Sequence, residues 1–231
     1  MSVALDGPRI QASAGRATAL VVFLHGYGAD GNDLIEIGRQ WRALLPNAAF
    51  VSPNAPERCA ASPTGRQWFA LSNRAPDDPS GAEERWNGVI KARGAIDAFL
   101  DAELQRLGLD ESKLALVGFS QGTMMALHVG LRRRLAPAGI VGYSGMLVGA
   151  ERLSEAAARD ARGAPPPVLL IHGDQDPLIP IDAMFMAAEG LAGAGIPVQW
   201  HISFGVGHGI DAGGLRHGGQ FLARALSGRR R

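Results

Sequence analysis

Three short segments of this 231-residue chain carry side chains suited to acyl transfer. The first is Gly118-Phe119-Ser120-Gln121-Gly122, a G-x-S-x-G pentapeptide. Where such a pentapeptide joins a strand to a helix it forms a nucleophile elbow, a strained turn that lifts the serine hydroxyl over the sheet. The demand is steric: glycines at 118 and 122 lack the β-carbons that would collide with the neighbouring strand and helix. A helix starting near Gln121 leaves free N–H groups beside Ser120, which favour developing negative charge. A serine hydroxyl is a weak nucleophile without a base, and the base needs an orienting acid. After an elbow the chain order is Ser, then Asp or Glu, then His. The second and third segments supply that order. They are His172-Gly173-Asp174-Gln175-Asp176-Pro177-Leu178-Ile179-Pro180 and Gly205-Val206-Gly207-His208-Gly209. Ser120, Asp176 and His208 are therefore the candidate nucleophile, acid and base. Asp174 is the rival acid in the same loop and reads as a turn-capping carboxylate.

Acyl transfer also needs donors aimed at the developing oxyanion. The backbone N–H of Gln121, just after the nucleophile, is one candidate. The second comes from a loop after an early strand, here Leu24-His25-Gly26-Tyr27-Gly28-Ala29-Asp30-Gly31, and the backbone N–H of Tyr27 is its candidate. The same loop carries a competing signal. Gly26 to Gly31 matches G-x-G-x-x-G between a strand and a helix, the setting of a dinucleotide fingerprint. The next strand ends in Val51-Ser52-Pro53-Asn54, without the acid that would hold a ribose.

The remaining histidines give no comparable pattern. His25 reads as a local hydrogen-bonding residue, and His128 as a packing or surface residue on the helix after the elbow. His172 and His201 fall in strands, and His217 falls on the last helix. None stands in a metal-ligand spacing, so no metal is expected. The one cysteine, Cys59, rules out an internal disulfide and lacks a local nucleophile signature.

The elements that must position these residues follow from hydropathy. Residues 19–24, 48–52, 114–117, 139–143, 168–172 and 198–202 are short runs, mostly apolar on consecutive residues. That pattern suits strands buried on both faces, as in a parallel sheet. Between them the pattern predicts helices over 33–45, 83–107, 121–131, 181–191 and 215–226. In the longest, Val89, Ile96, Phe99, Leu100, Leu104 and Leu107 recur at three- and four-residue steps, and Gly108 follows as a C-terminal cap. The alternation predicts one doubly wound, mostly parallel α/β sheet with helices on both faces. The whole chain, 1–231, reads as one such domain, with a short N-terminal extension over 1–16 and a basic tail over 228–231. Ligands of open α/β sheets bind beyond the carboxyl ends of the strands, where all three segments lie.

Composition narrows the classes. Apolar residues are 46% and charged residues 19%, which reads as globular. A net charge of +1 gives no electrostatic reason to expect nucleic acid or an anionic membrane as partner. No signal peptide is seen, and no apolar run approaches the roughly 18 residues needed to cross a bilayer. The expectation is a cytoplasmic protein without membrane insertion.

Phe23 to Asp30, Gly118 to Leu127, His172 to Pro180 and Gly205 to His208 together resemble the phospholipase/carboxylesterase family of α/β-hydrolases, which includes acyl-protein thioesterases. The likeness runs from about residue 17 to 226. It implies the α/β-hydrolase fold and carboxylic ester hydrolysis through a Ser-His-Asp triad without a cofactor. Ser120, Asp176 and His208 match the family's triad, and Tyr27 and Gln121 match its oxyanion donors. Family members carry Trp-(Phe or Tyr)-Asp in an early loop, whereas this chain has Trp68-Phe69-Ala70, so a preference for lipidated proteins is not carried over. A small-molecule ester is the expected substrate, and a homodimer is compatible with the resemblance. Trp68, Phe69, Met146, Leu147 and Leu178 are candidates to line the acyl pocket, with core packing as the alternative for each. Thioesters and lysophospholipids are alternative substrates for the same triad. A nucleotide-binding oxidoreductase and a catalytically silent binding protein are the readings from other classes.

Overall fold

A computed structural model of the chain describes residues 4–72, 79–153 and 164–228. Among the described residues nine strands form: β1 (Arg9–Ile10), β2 (Ala19–Leu24), β3 (Ala48–Val51), β4 (Glu57–Arg58), β5 (Arg66–Gln67), β6 (Leu114–Phe119), β7 (Gly139–Tyr143), β8 (Val168–Gly173) and β9 (Val198–Ser203). The described helices are α1 (Gly31–Trp41), α2 (Pro79–Leu107), α3 (Gln121–Gly130), α4 (Asp182–Gly193) and α5 (Ala212–Leu226). Seven strands make one sheet in the order β1-β3-β2-β6-β7-β8-β9, and β4 and β5 form a separate hairpin. In that sheet every pairing from β3 across to β9 is parallel, and β1 runs antiparallel on β3. This is the architecture of an α/β-hydrolase fold.

The consecutive apolar runs behave as a doubly covered sheet requires. All six residues of β2 are buried. Leu20, Val22 and Leu24 join one core with α2, α3 and α4, while Val21 and Phe23 join another with α1 and α5. In the second core Phe23 stacks on Phe50, with ring centroids 6.2 Å apart, and lies 5.9 Å from Trp41.

Helix boundaries move where a carboxylate caps the N-terminus. The Asp30 carboxylate accepts from Asn32 N, so α1 begins at Gly31 rather than at 33. The Asp211 carboxylate accepts from Gly213 N and Gly214 N, so α5 begins at Ala212 rather than at 215. Gly108 takes φ 67° beyond α2, as its capping position requires. Residues 9–10 of the expected N-terminal extension instead add the edge strand β1. Most of the expected basic tail lies outside the described residues. Among the described residues no helix is long and apolar enough to cross a membrane.

His128 on α3 is not a surface residue but is packed where α3 meets α2. It is 2% exposed, with its ring edge-on to Trp86 at 5.3 Å and its Nδ1 without a partner. Burial, with Arg132 and Arg93 nearby, lowers its pKa to about 3. The unfolded chain therefore takes the proton first as pH falls below about 6.5. Stability associated with His128 is full above that value and is lost as pH drops from there toward 3. We expect native protein to lose about 2 kcal/mol more than His128→Leu on going from pH 7.5 to pH 5. Urea unfolding of both proteins at both pH values checks this, and equal losses would exclude His128 as an acid-sensitive site.

Candidate active site

Because β2, β6, β8 and β9 run in parallel, the loops after them emerge on one edge of the sheet, and those loops carry Tyr27, Ser120, Asp176 and His208. Ser120 lies between β6 and α3 with φ 54° and ψ −117°, a conformation L-residues rarely adopt. Such strain costs about 1–3 kcal/mol and persists only where its surroundings enforce it. Here Ser120 N donates to Tyr143 O at 2.9 Å, and Ser120 O accepts from Thr123 N at 3.0 Å. The flanking glycines are required by close approach. A β-carbon on Gly118 would lie 2.4 Å from Gly122 backbone atoms, and one on Gly122 would lie 1.7 Å from Leu24 O.

The loops after β8 and β9 are stitched together through their backbones. Gln175 N donates to Val206 O at 3.0 Å, and Asp174 Oδ1 accepts from Gly205 N at 2.6 Å. Asp174 is thus occupied in bracing the loop. A β-carbon on Gly173 would sit 2.2 Å from Val206 O, so the two loops approach as closely as main chains can.

That bracing brings Asp176 and His208 together. Asp176 Oδ2 lies 2.7 Å from His208 Nδ1, and Oδ1 accepts from the Leu178 and Ile179 N–H groups, both at 2.9 Å. Burial penalises the carboxylate charge, but the bonds from Ile179, His208 and Leu178 outweigh it and hold its pKa below the ordinary value. An ionised Asp176 accepts the Nδ1 proton and leaves Nε2 of a neutral His208 as the free ring nitrogen. The half-buried His208 ring packs beside Phe119, 5.0 Å between centroids, next to the elbow.

The early loop completes this edge. A β-carbon on Gly26 would lie 3.4 Å from Ser120 Cβ, which places the Gly26–Tyr27 peptide against the elbow. The β4–β5 hairpin holds the loop in place: Gly28 N donates to Arg66 O at 2.9 Å, and Arg66 N to Ala29 O at 2.8 Å. Contact with the Cys59 thiol and partial burial raise the Tyr27 phenol pKa. The helix N-terminus that a pyrophosphate would use is already filled. The Asp30 carboxylate takes Asn32 N, and Asn54 Oδ1 takes Gly31 N at 2.9 Å. A β-carbon on Gly31 would meet Ser52 O at 2.1 Å, so that glycine serves internal packing.

Two of the pocket candidates lie elsewhere. Trp68 and Phe69 are core residues, 1% and 2% exposed. The Trp68 indole donates to His25 O at 2.9 Å, so its N–H is satisfied internally rather than turned to a ligand. Met146 and Leu147 are half-buried against the core, and Leu178 is 66% exposed on the rim beside Asp176. Sequence reasoning passed over His172. Its buried Nε2 donates to Ile179 O at 2.8 Å and stands 3.3 Å from Asp176 Oδ2, behind the acid. The four-residue step from His172 to Asp176 was the available signal, but it lay across a strand end where it has no fixed meaning.

A sequence profile described as phospholipase/carboxylesterase matches residues 5–226. The crystal structure of esterase PE8 superposes with a TM-score of 0.88 at 42% identity, covering 97% of this chain and 100% of that one. Acyl-protein thioesterase 1 of Schizosaccharomyces pombe is 32% identical over 166 residues, 71% of this chain and 70% of its own. Acyl-protein thioesterase 1 of Gibberella zeae is 27% identical over 232 residues, 98% of each chain.

The elbow yields a stability prediction. Gly122→Ala drives a methyl group into the Leu24 carbonyl, and we expect a loss above about 3 kcal/mol or failure to fold. A urea midpoint equal to that of the native protein would show that the β2–α3 approach can relax.

Proposed function

The chain belongs to the phospholipase/carboxylesterase family of α/β-hydrolases, and from that premise we propose that it is a serine esterase acting on small carboxylic esters. The observation that carries the reading is the 2.7 Å contact between Asp176 Oδ2 and His208 Nδ1, on a loop pair beside the strained Ser120. In this reading His208 Nε2 takes the Ser120 proton as Oγ attacks the ester carbonyl. Asp176 holds the imidazole in the required tautomer and stabilises its charged form. The Tyr27 and Gln121 backbone N–H groups receive the oxyanion. The imidazolium returns its proton to the leaving alkoxide, giving an acyl-enzyme and free alcohol. Water, activated by the same imidazole, then releases the carboxylic acid and restores Ser120.

The names of the two fungal relatives support a second reading, an acyl thioesterase on the same residues. The chemistry differs only in the leaving group, a thiolate instead of an alkoxide. Side-by-side rates on matched oxygen esters and thioesters separate the two.

The direct test is hydrolysis of p-nitrophenyl esters from acetate to palmitate. We expect turnover by the native protein and none above background by Ser120→Ala. Equal rates in both proteins would remove Ser120 from the mechanism. Asp176→Asn retains an acceptor for the Leu178 and Ile179 amides, so we expect its melting temperature to change little while kcat falls about 10³–10⁴-fold. A kcat within a few-fold of native would exclude Asp176 as the orienting acid.

A further inference from the structure

His25 is buried, and both of its ring nitrogens are committed. Nδ1 lies 2.8 Å from Gly26 O, and Nε2 lies 3.0 Å from Ala55 N. A carbonyl only accepts and an amide N–H only donates, so Nδ1 carries the proton and Nε2 is bare. The ring is therefore a neutral imidazole in one assigned tautomer. Burial lowers its proton affinity and outweighs the Gly26 carbonyl and the more distant Asp30 and Asp33, which favour the charged form. A proton on Nε2 would also face the Ala55 N–H.

Gly26 O, which His25 grips, belongs to the same peptide unit as Tyr27 N–H. A trans peptide is planar, and its C=O and N–H point in opposite directions. No cis peptide bond occurs among the described residues. A group that pulls the Gly26 carbonyl inward therefore turns the Tyr27 N–H outward. Ala29 N reinforces the pull with a second bond to Gly26 O at 3.3 Å. The other proposed donor is tied to the same buried cluster. His25 O accepts the Trp68 indole N–H at 2.9 Å, and Trp68 N donates to Gln121 Oε1 at 3.0 Å. Gln121 Nε2 closes the chain by donating to Phe69 O at 2.7 Å. The side chain of Gln121, 0% exposed, thus anchors the residue whose backbone N–H lies beside Ser120.

We propose that His25 is a positioning residue of the oxyanion hole, aiming the Tyr27 N–H through the Gly26–Tyr27 peptide plane and linked through Trp68 to Gln121. This rests on the serine-esterase reading. His25 never touches substrate; it acts through the peptide that does. Such a role differs from simple core filling because one ring nitrogen matters to turnover and the other to the fold. Asn in place of His25 can offer an N–H near the Nδ1 position, for Gly26 O. Gln can offer an oxygen near the Nε2 position, for Ala55 N, while losing the Gly26 bond.

The experiment compares native protein, His25→Asn, His25→Gln and Ser120→Ala on p-nitrophenyl butyrate, with a melting curve for each. We expect His25→Gln to lose about 10- to 100-fold in kcat with KM near native, because a misaimed donor weakens the transition state alone. We expect His25→Asn to retain a kcat about tenfold or more above that of His25→Gln. A trifluoromethyl ketone, whose adduct with Ser120 carries an oxyanion, should bind more weakly to His25→Gln in proportion to kcat/KM. Equal kcat losses in the two variants, or losses that simply follow their melting temperatures, would overturn the proposal. Should neither variant fold, Trp68→Phe removes the indole N–H to His25 O together with part of the ring that fills the core. It is then expected to lower kcat several-fold at constant KM, and a native kcat would overturn the linkage. If Ser120→Ala hydrolyses as fast as native protein, the esterase reading fails and takes this proposal with it. If turnover depends on Ser120, the Asn–Gln comparison judges His25 alone.

Discussion

Parallel pairing is the constraint on which the rest of this molecule depends. From β3 across to β9 every neighbouring strand runs the same way, so every carboxyl end falls on one edge. Residues far apart in the chain are therefore delivered to a common rim without any long loop having to reach for them. Parallel strands need crossover connections, and those crossovers supply the helices that bury both faces. The consecutive apolar runs, the two cores and the clustering of Tyr27, Ser120, Asp176 and His208 are consequences of that single geometry.

The rim is built from main chain in close contact. Gly122 lets α3 approach the end of β2, and Gly173 lets the loop after β8 lie on the loop after β9. These contacts place hydrogen-bonding backbone groups where side chains would otherwise stand. They also hold strained geometry: Ser120 keeps its positive φ because Tyr143 O and the first turn of α3 grip it from both sides. Asp176 shows the electrostatic counterpart. Its carboxylate is buried and stays ionised because two amides and His208 donate to it, with His172 behind. A buried charge without such donors would take up a proton instead.

Three buried histidines show how far environment decides what one residue type does. His25 has both nitrogens satisfied and braces a peptide plane. His172 donates to Ile179 O and backs the acid. His128 has an unpartnered Nδ1 beside cationic neighbours, so burial dominates and it resists protonation. Residue type and sequence position did not separate these cases. All three sit in or next to regular elements, and none carries a spacing with a fixed chemical meaning.

By itself the sequence determined the order of the six longer strands and of the described helices between them, the parallel sheet, and the three segments in which the nucleophile, acid and base candidates lie. The reason is that continuous apolar runs and glycine-flanked turns are local signals of a doubly covered sheet and of close main-chain approach. The tertiary structure alone decided which partners those segments meet. Asp174 and Asp176 share one loop and one chemistry; only the fold shows that Asp174 caps Gly205 while Asp176 faces His208. Trp68 and Phe69 are apolar whether they line a pocket or fill a core, and only packing against Gln121 and His25 sends them to the core. The antiparallel β1 and the hairpin of β4 and β5 are two residues per strand, too short to show any periodicity, and they exist through what they pair with. Periodicity reports which face of an element is buried. It carries no information on which distant backbone will supply the donor or acceptor that gives a buried polar side chain its role.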